Sequence, residues 1–129
     1  MSSPELHPPS DGRPLVAVVC SVPLVGEAVR SVLDFAEVRS FGGGQDTAGL
    51  LASLRPDAVI VDSDEDADAA TQFARQSDAP ILHIRLRDRS LCLFREGTWE
   101  HVAGEEGPTP EAIRNVIAGA LFSRGGAVR

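Results

Sequence analysis

The residues with chemistry to offer stand where short apolar runs end. Asp62 follows Ala58-Val59-Ile60-Val61, Cys20 and Ser21 follow Leu15-Val16-Ala17-Val18-Val19, and Arg85 closes Ile81-Leu82-His83-Ile84. A carboxylate at the end of a buried strand can accept a phosphoryl group, ligate a cation, or simply be the first polar residue in water. A guanidinium in the same place binds carboxylate or phosphate through a planar fork of donors. Asp62, Asp64, Asp66 and Asp68 also alternate as D-x-D-x-D, the opening of a calcium loop. Counted from Asp62, however, the sixth position is Ala67 where glycine is needed, and the twelfth is Phe73 where glutamate is needed. The run therefore reads as a solvated acidic turn.

Other candidates are weaker. Ser21 and Ser63 lack the G-x-S-x-G context of a nucleophile elbow. No Cys/His spacing suggests zinc, and no metal or cofactor is expected. His83, in mid-strand, reads as a satisfied core residue and His101, beside Trp99, as a surface one. Gly42-Gly43-Gly44 follows a strand and precedes a helix, but without G-x-G-x-x-G it reads as a flexible loop and not as a phosphate cradle.

These side chains need elements to hold them. Leu15–Val19 and Ala58–Val61 are apolar runs of the kind covered on both faces in a parallel sheet, with an alternating strand from Ala36 to Phe41 and a fourth strand from Ile81 to Leu86. Pro23 opens a helix with Leu24, Ala28, Val32 and Phe35 on its apolar side. Asp46 is an N-cap for a second helix with Leu50, Leu51 and Leu54, which Pro56 ends. A weaker helix is expected over 66–76, on Ala70, Phe73 and Ala74. After Ile81–Leu86 only Arg87-Asp88-Arg89-Ser90 precedes Leu91–Phe94, too short for a parallel crossover. The next strand should run antiparallel, and Glu96-Gly97 should turn it into Thr98–Val102. Thr109-Pro110 starts a last helix carrying Ile113, Val116, Ile117, Ala120 and Leu121. One domain over 14–122 is expected, with a disordered arm at 1–13 and a flexible tail at 123–129.

Composition excludes several functions. All 12 basic residues are arginine, so Schiff-base and Walker-type lysine chemistry are impossible. A formal charge of −7 disfavours nucleic acid as the partner. No apolar stretch reaches the ~20 residues of a membrane span. The run before Cys20 follows Glu5 and Asp11 and ends in bulky Val18-Val19, unlike a lipoprotein signal, so a cytoplasmic protein is expected. Cys20 and Cys92 sit in apolar runs and read as small hydrophobes without a disulfide.

The order of these pieces resembles the receiver domain of two-component response regulators. Strand one followed by Cys20-Ser21-Val22-Pro23-Leu24-Val25, then P-D-A-V-I-V-D ending at Asp62, then A-P-I-L-H-I from Ala79, carries the resemblance over roughly residues 14–86. It implies an α/β fold, a flavodoxin/receiver-like three-layer sandwich with parallel strand order 2-1-3-4. An antiparallel hairpin would replace the region of the fourth helix and fifth strand. In that family an acidic pair after strand one, an acceptor aspartate after strand three, a hydroxyl residue after strand four and a lysine after strand five form the site. Asp62 matches the acceptor. The acidic pair falls on Cys20 and Ser21, the hydroxyl position on Arg85, and the lysine has no counterpart. The resemblance thus implies a degenerate pocket of Cys20, Ser21, Asp64 and Arg85 around Asp62, with Arg85 pairing Asp62 or its neighbours and locking one state.

The expected function is a non-enzymatic, receiver-like signalling module of the bacterial cytoplasm that works through a protein partner or a second copy of itself. Its contact surface is expected on the hairpin, at Arg87, Arg89, Phe94, Arg95 and the single tryptophan Trp99, because Trp and Arg concentrate binding energy. The competing expectation for Phe94 and Trp99 is that they only cover the sheet edge. Three other functions stay open: a receiver still phosphorylated on Asp62, a small-molecule sensor using the cleft near Cys20, Ser21, Asp62 and Arg85, and an anti-sigma antagonist phosphorylated on Ser63.

Overall fold

Strand β1, Leu15–Val19, and strand β3, Ala58–Val61, are apolar at every position because both faces of each are covered: Val16 to Val19 and Ala58 to Val61 are all fully buried. The computed structural model describes residues 13–42, 46–102 and 109–126. The arm expected at 1–13, apart from Arg13, lies outside these residues, as do Gly43, Gly44, the loop at 104–108 and residues 127–129.

Helix α1, Pro23–Val32, begins on its proline and buries Val29, with Val25 and Val32 packed beside it and Leu33 fully enclosed just past its end. The expected stripe is therefore realised in part: Leu24 is 75% exposed, while Val32 packs against the core and so does Phe35, which lies beyond the helix. Spacing alone does not choose between two adjacent stripes that are both apolar, and contact with the sheet selects the β-branched one.

Strand β2, Glu37–Phe41, is the edge of the sheet, with Val38 packed towards one face and Phe41 towards the other. Helix α2, Thr47–Leu54, is capped by Asp46, whose carboxylate accepts from the Gly49 amide at 3.2 Å. It ends in left-handed Arg55 before Pro56. Helix α3 spans Asp64–Ser77, two residues longer at its start than 66–76, because Ser63 caps it. Strands β4 (Ile81–Arg85), β5 (Ser90–Arg95) and β6 (Thr98–His101) follow, the last turn having positive φ at both Glu96 and Gly97, as a tight hairpin requires. Helix α4, Pro110–Gly126, is capped by Thr109 Oγ1, which accepts from the Ala112 amide at 3.1 Å. It runs past position 122, where the domain was expected to end.

The six strands lie in the order β2-β1-β3-β4-β5-β6, parallel up to β4 and antiparallel thereafter. One core joins α1 and α4 to Val16, Val18, Ile60, Leu82, Ile84 and Leu91. The other joins α2 and α3 to Ala17, Val19, Val59, Val61, Ile81 and Phe94. This is an α/β protein with a mixed sheet between two pairs of helices, as expected. Among the described residues, no helix is long and apolar enough to cross a membrane.

Candidate functional site

The carboxyl ends of β1 and β3 are adjacent because those strands pair in parallel, Val19 opposite Val61. The turns that leave them, Cys20-Ser21-Val22 and Asp62-Ser63, therefore meet. Asp62 Oδ1 accepts from the Ser21 amide at 2.8 Å and from Ser21 Oγ at 3.1 Å, and its Oδ2 accepts from the Val22 amide at 3.1 Å. Val22 is the N-cap of α1 and has no side chain able to cap. A carboxylate from β3 thus supplies the negative charge that a helix start favours. Asp62 is spent as a fastener between two loops, its two oxygens bound by three donors of the β1–α1 turn.

Arg85 pairs neither with Asp62 nor with its neighbours, the expected partners. Its guanidinium reaches Asp88 Oδ2 at 2.8 Å, within the β4–β5 turn. The turn brings the two charges together locally, and a partner three residues away needs less ordering of a long side chain than one across the sheet. The pocket of Cys20, Ser21, Asp64 and Arg85 is divided accordingly. Ser21 stays with Asp62, Cys20 is buried in the core beneath α1, and Asp64 and Arg85 face a separate cleft. Burial, with Asp62 and Asp66 adding to it, pushes the Cys20 thiol up to about 12, so it remains protonated and unreactive. Both cysteines are free.

That second cleft, about 210 Å3, lies on the α3 side of β4 and β5 and is lined by Asp64, Asp68, His83, Arg85, Cys92 and Trp99 among others. Hairpin register assembles it, since His83 pairs with Cys92 and Phe94 with Trp99. His83 is buried, with Nε2 3.6 Å from Asp64 Oδ1 and its ring edge-on to Trp99 at 6.1 Å. Phe94, expected on the contact surface, is only 4% exposed and belongs to the core of α2 and α3. Its alternation along β5 points it inward. Trp99 covers it at 5.2 Å and stays 40% exposed. Arg95 is tied to Glu100 at 3.0 Å, while Arg87 and Arg89 are exposed at the β4–β5 turn.

Burial, the largest influence, pushes the His83 imidazole below its ordinary 6.5; Asp64 opposes this and Arg85 assists it. An unfolded chain would take up this proton at a higher pH than the folded one. Stability from neutral His83 is therefore complete above 6.5 and declines as pH falls from there towards the folded value. Melting temperatures between about pH 7.5 and about pH 5 should fall, and fall less in His83→Gln. An identical slope in that variant would remove His83 as the cause.

The acidic run is not a solvated turn. Asp64, Glu65 and Asp66 form the first turn of α3, where anions suit the helix dipole. Asp66 is buried, accepting from Thr47 Oγ1 at 2.7 Å and from Ser63 Oγ at 3.0 Å, while its amide donates to Ser63 Oγ at 3.2 Å. Sequence reasoning passed over this knot, although Ser63-x-x-Asp66 has the spacing of a capping box and was a readable signal. Among the described residues, no group of three or more His, Cys, Asp or Glu side chains is placed to hold a metal ion.

Fold and site define an α/β protein whose strand-end carboxylate is internally satisfied. The chain matches no protein-family model, no curated protein and no solved structure.

Proposed function

We propose that this chain is a non-catalytic, receiver-like interaction module, cytoplasmic and regulatory, with Asp62 as a fixed internal fastener and the β4–β6 hairpin as its contact surface. The observation that carries the reading is the saturation of Asp62 by Ser21 and Val22. Phosphoryl transfer to this carboxylate would break those bonds and would need cations that neutralise the incoming charge. Transfer depends almost wholly on such positioning and electrostatics, and a single missing donor costs ~10²–10³ in rate. Ser21 and Cys20 occupy the places of an acidic pair, and a thiol with a hydroxyl is a poor ligand set for magnesium. Arg85, the one cation on a neighbouring strand end, is engaged with Asp88. A shape held in a single state then signals through its surface, and exposed Trp99 with Arg87 and Arg89 supplies the anchors such surfaces use.

Incubation with magnesium and acetyl phosphate or beryllofluoride should leave both the mass and the amide spectrum unchanged. A shifted Ser21 or Val22 amide together with a phosphoryl mass gain lost in Asp62→Asn would replace this reading with that of a working receiver. A pull-down and light scattering with wild type and Trp99→Ala identify the occupant of the hairpin. Loss of a partner, or of a dimer, in the variant is the expected result, and unchanged binding would remove the hairpin as the contact face.

A further inference from the structure

A cavity of about 340 Å3 opens between α1 and the end of β2, on the opposite side of β1 from β3. It falls in the size range of small-molecule sites and at the carboxyl ends of two parallel strands, where open α/β sheets take ligands. Its apolar lining comes from Val18, Val22, Pro23 and Phe41. Cys20 lines it too, and its protonated thiol adds no charge.

Gly26 borders this open space. It lies inside α1, where glycine costs ~1 kcal/mol relative to alanine. A Cβ built on it would meet nothing within 4 Å, so no neighbour demands the glycine. At the rim stand Glu27 and Arg30, three residues apart on α1, and neither makes an ion pair among the described residues. A guanidinium with no ion-pair partner among the described residues, beside an apolar cavity, is suited to a carboxylate attached to an apolar body. The nearby Glu27 disfavours more highly charged anions such as phosphate.

We propose that this cleft binds a small apolar monocarboxylate, its hydrocarbon body against Val18, Val22 and Phe41 and its carboxylate on Arg30. The site borders the turn that Asp62 fastens, since Val22 lines the cavity and donates its amide to Asp62, but ligand binding is read at Gly26, Ser40 and Gly42, so it stands or falls apart from the function proposed above.

Titration of the isotope-labelled full chain with 4-phenylbutyrate, the uncharged 4-phenylbutanamide and inorganic phosphate tests it. The expected result is saturable movement of the Gly26, Ser40 and Gly42 amides with 4-phenylbutyrate, and none with phosphate. Arg30→Gln should weaken 4-phenylbutyrate about tenfold and leave 4-phenylbutanamide unchanged, as loss of one charge-assisted contact predicts. Gly26→Leu should fill the cavity and abolish binding while the helix gains propensity, and Gly26→Ala should retain it. Absence of movement at these amides with millimolar probe overturns the proposal. So does equal affinity in a folded Gly26→Leu, or displacement of the same amides by phosphate.

Discussion

Phe94→Ala should lower the free energy of unfolding by about 3–5 kcal/mol, whereas Trp99→Ala, its cross-strand partner, should lower it by only about 1 kcal/mol. The two rings touch at 5.2 Å and pair directly between β5 and β6, yet their surroundings differ. Phe94 is enclosed by the core that α2 and α3 share with Ile81, and its removal leaves a cavity beneath the sheet that the surrounding helices cannot fully collapse to fill. Trp99 stands on an edge strand whose four residues are all exposed, and it loses mainly its stacking on Phe94 and His83. Urea denaturation followed by far-ultraviolet circular dichroism measures both, since Trp99 is the only tryptophan and its fluorescence cannot report on its own removal. The contrast bears directly on function. A Trp99→Ala protein of nearly unaltered stability that no longer captures its partner makes Trp99 an anchor. Destabilisation as large as that of Phe94→Ala would instead make Trp99 part of the core.

Asp66→Ala should cost about 2–3 kcal/mol, against about 0.5 kcal/mol for Asp64→Ala two residues earlier. Both are acidic residues in the first turn of α3, but Asp66 is buried and binds Thr47 and Ser63, while the Asp64 side chain is 88% exposed. Removing the Asp66 carboxylate takes away the bond it accepts from the buried Thr47 hydroxyl at 2.7 Å and loosens the Ser63 cap. Thr47→Val removes the same bond from α2, and the double variant should cost less than the sum, with a coupling of about 1 kcal/mol or more. Additive costs in that cycle would show that Asp66 acts through the α3 cap alone and does not join the two helices.

Much of the architecture was open to local rules. Apolar β1 and β3 announce strands covered on both faces, Asp46, Pro56 and Thr109-Pro110 mark helix ends, and the few residues after the fourth strand forbid a parallel crossover. Hairpin arithmetic even places Phe94 opposite Trp99. Only the start of the α1 stripe is ambiguous in the sequence, because Leu24 and Val25 are adjacent and both apolar, so either could face the sheet.

The site divides along the same line. That Asp62 ends a strand beside the β1 turn follows from the sequence and its parallel pairing. That Ser21 and Val22 bind it, that Arg85 turns away to Asp88, and that Asp66 is buried against Thr47 could only be decided in three dimensions. The physical reason is the range of the forces involved. Periodicity, caps and turns are set within a few residues, so each element carries its own signal. A polar side chain has several competing partners of similar strength, and the choice among them depends on which loops the packed sheet and helices bring within 3 Å or so of a donor.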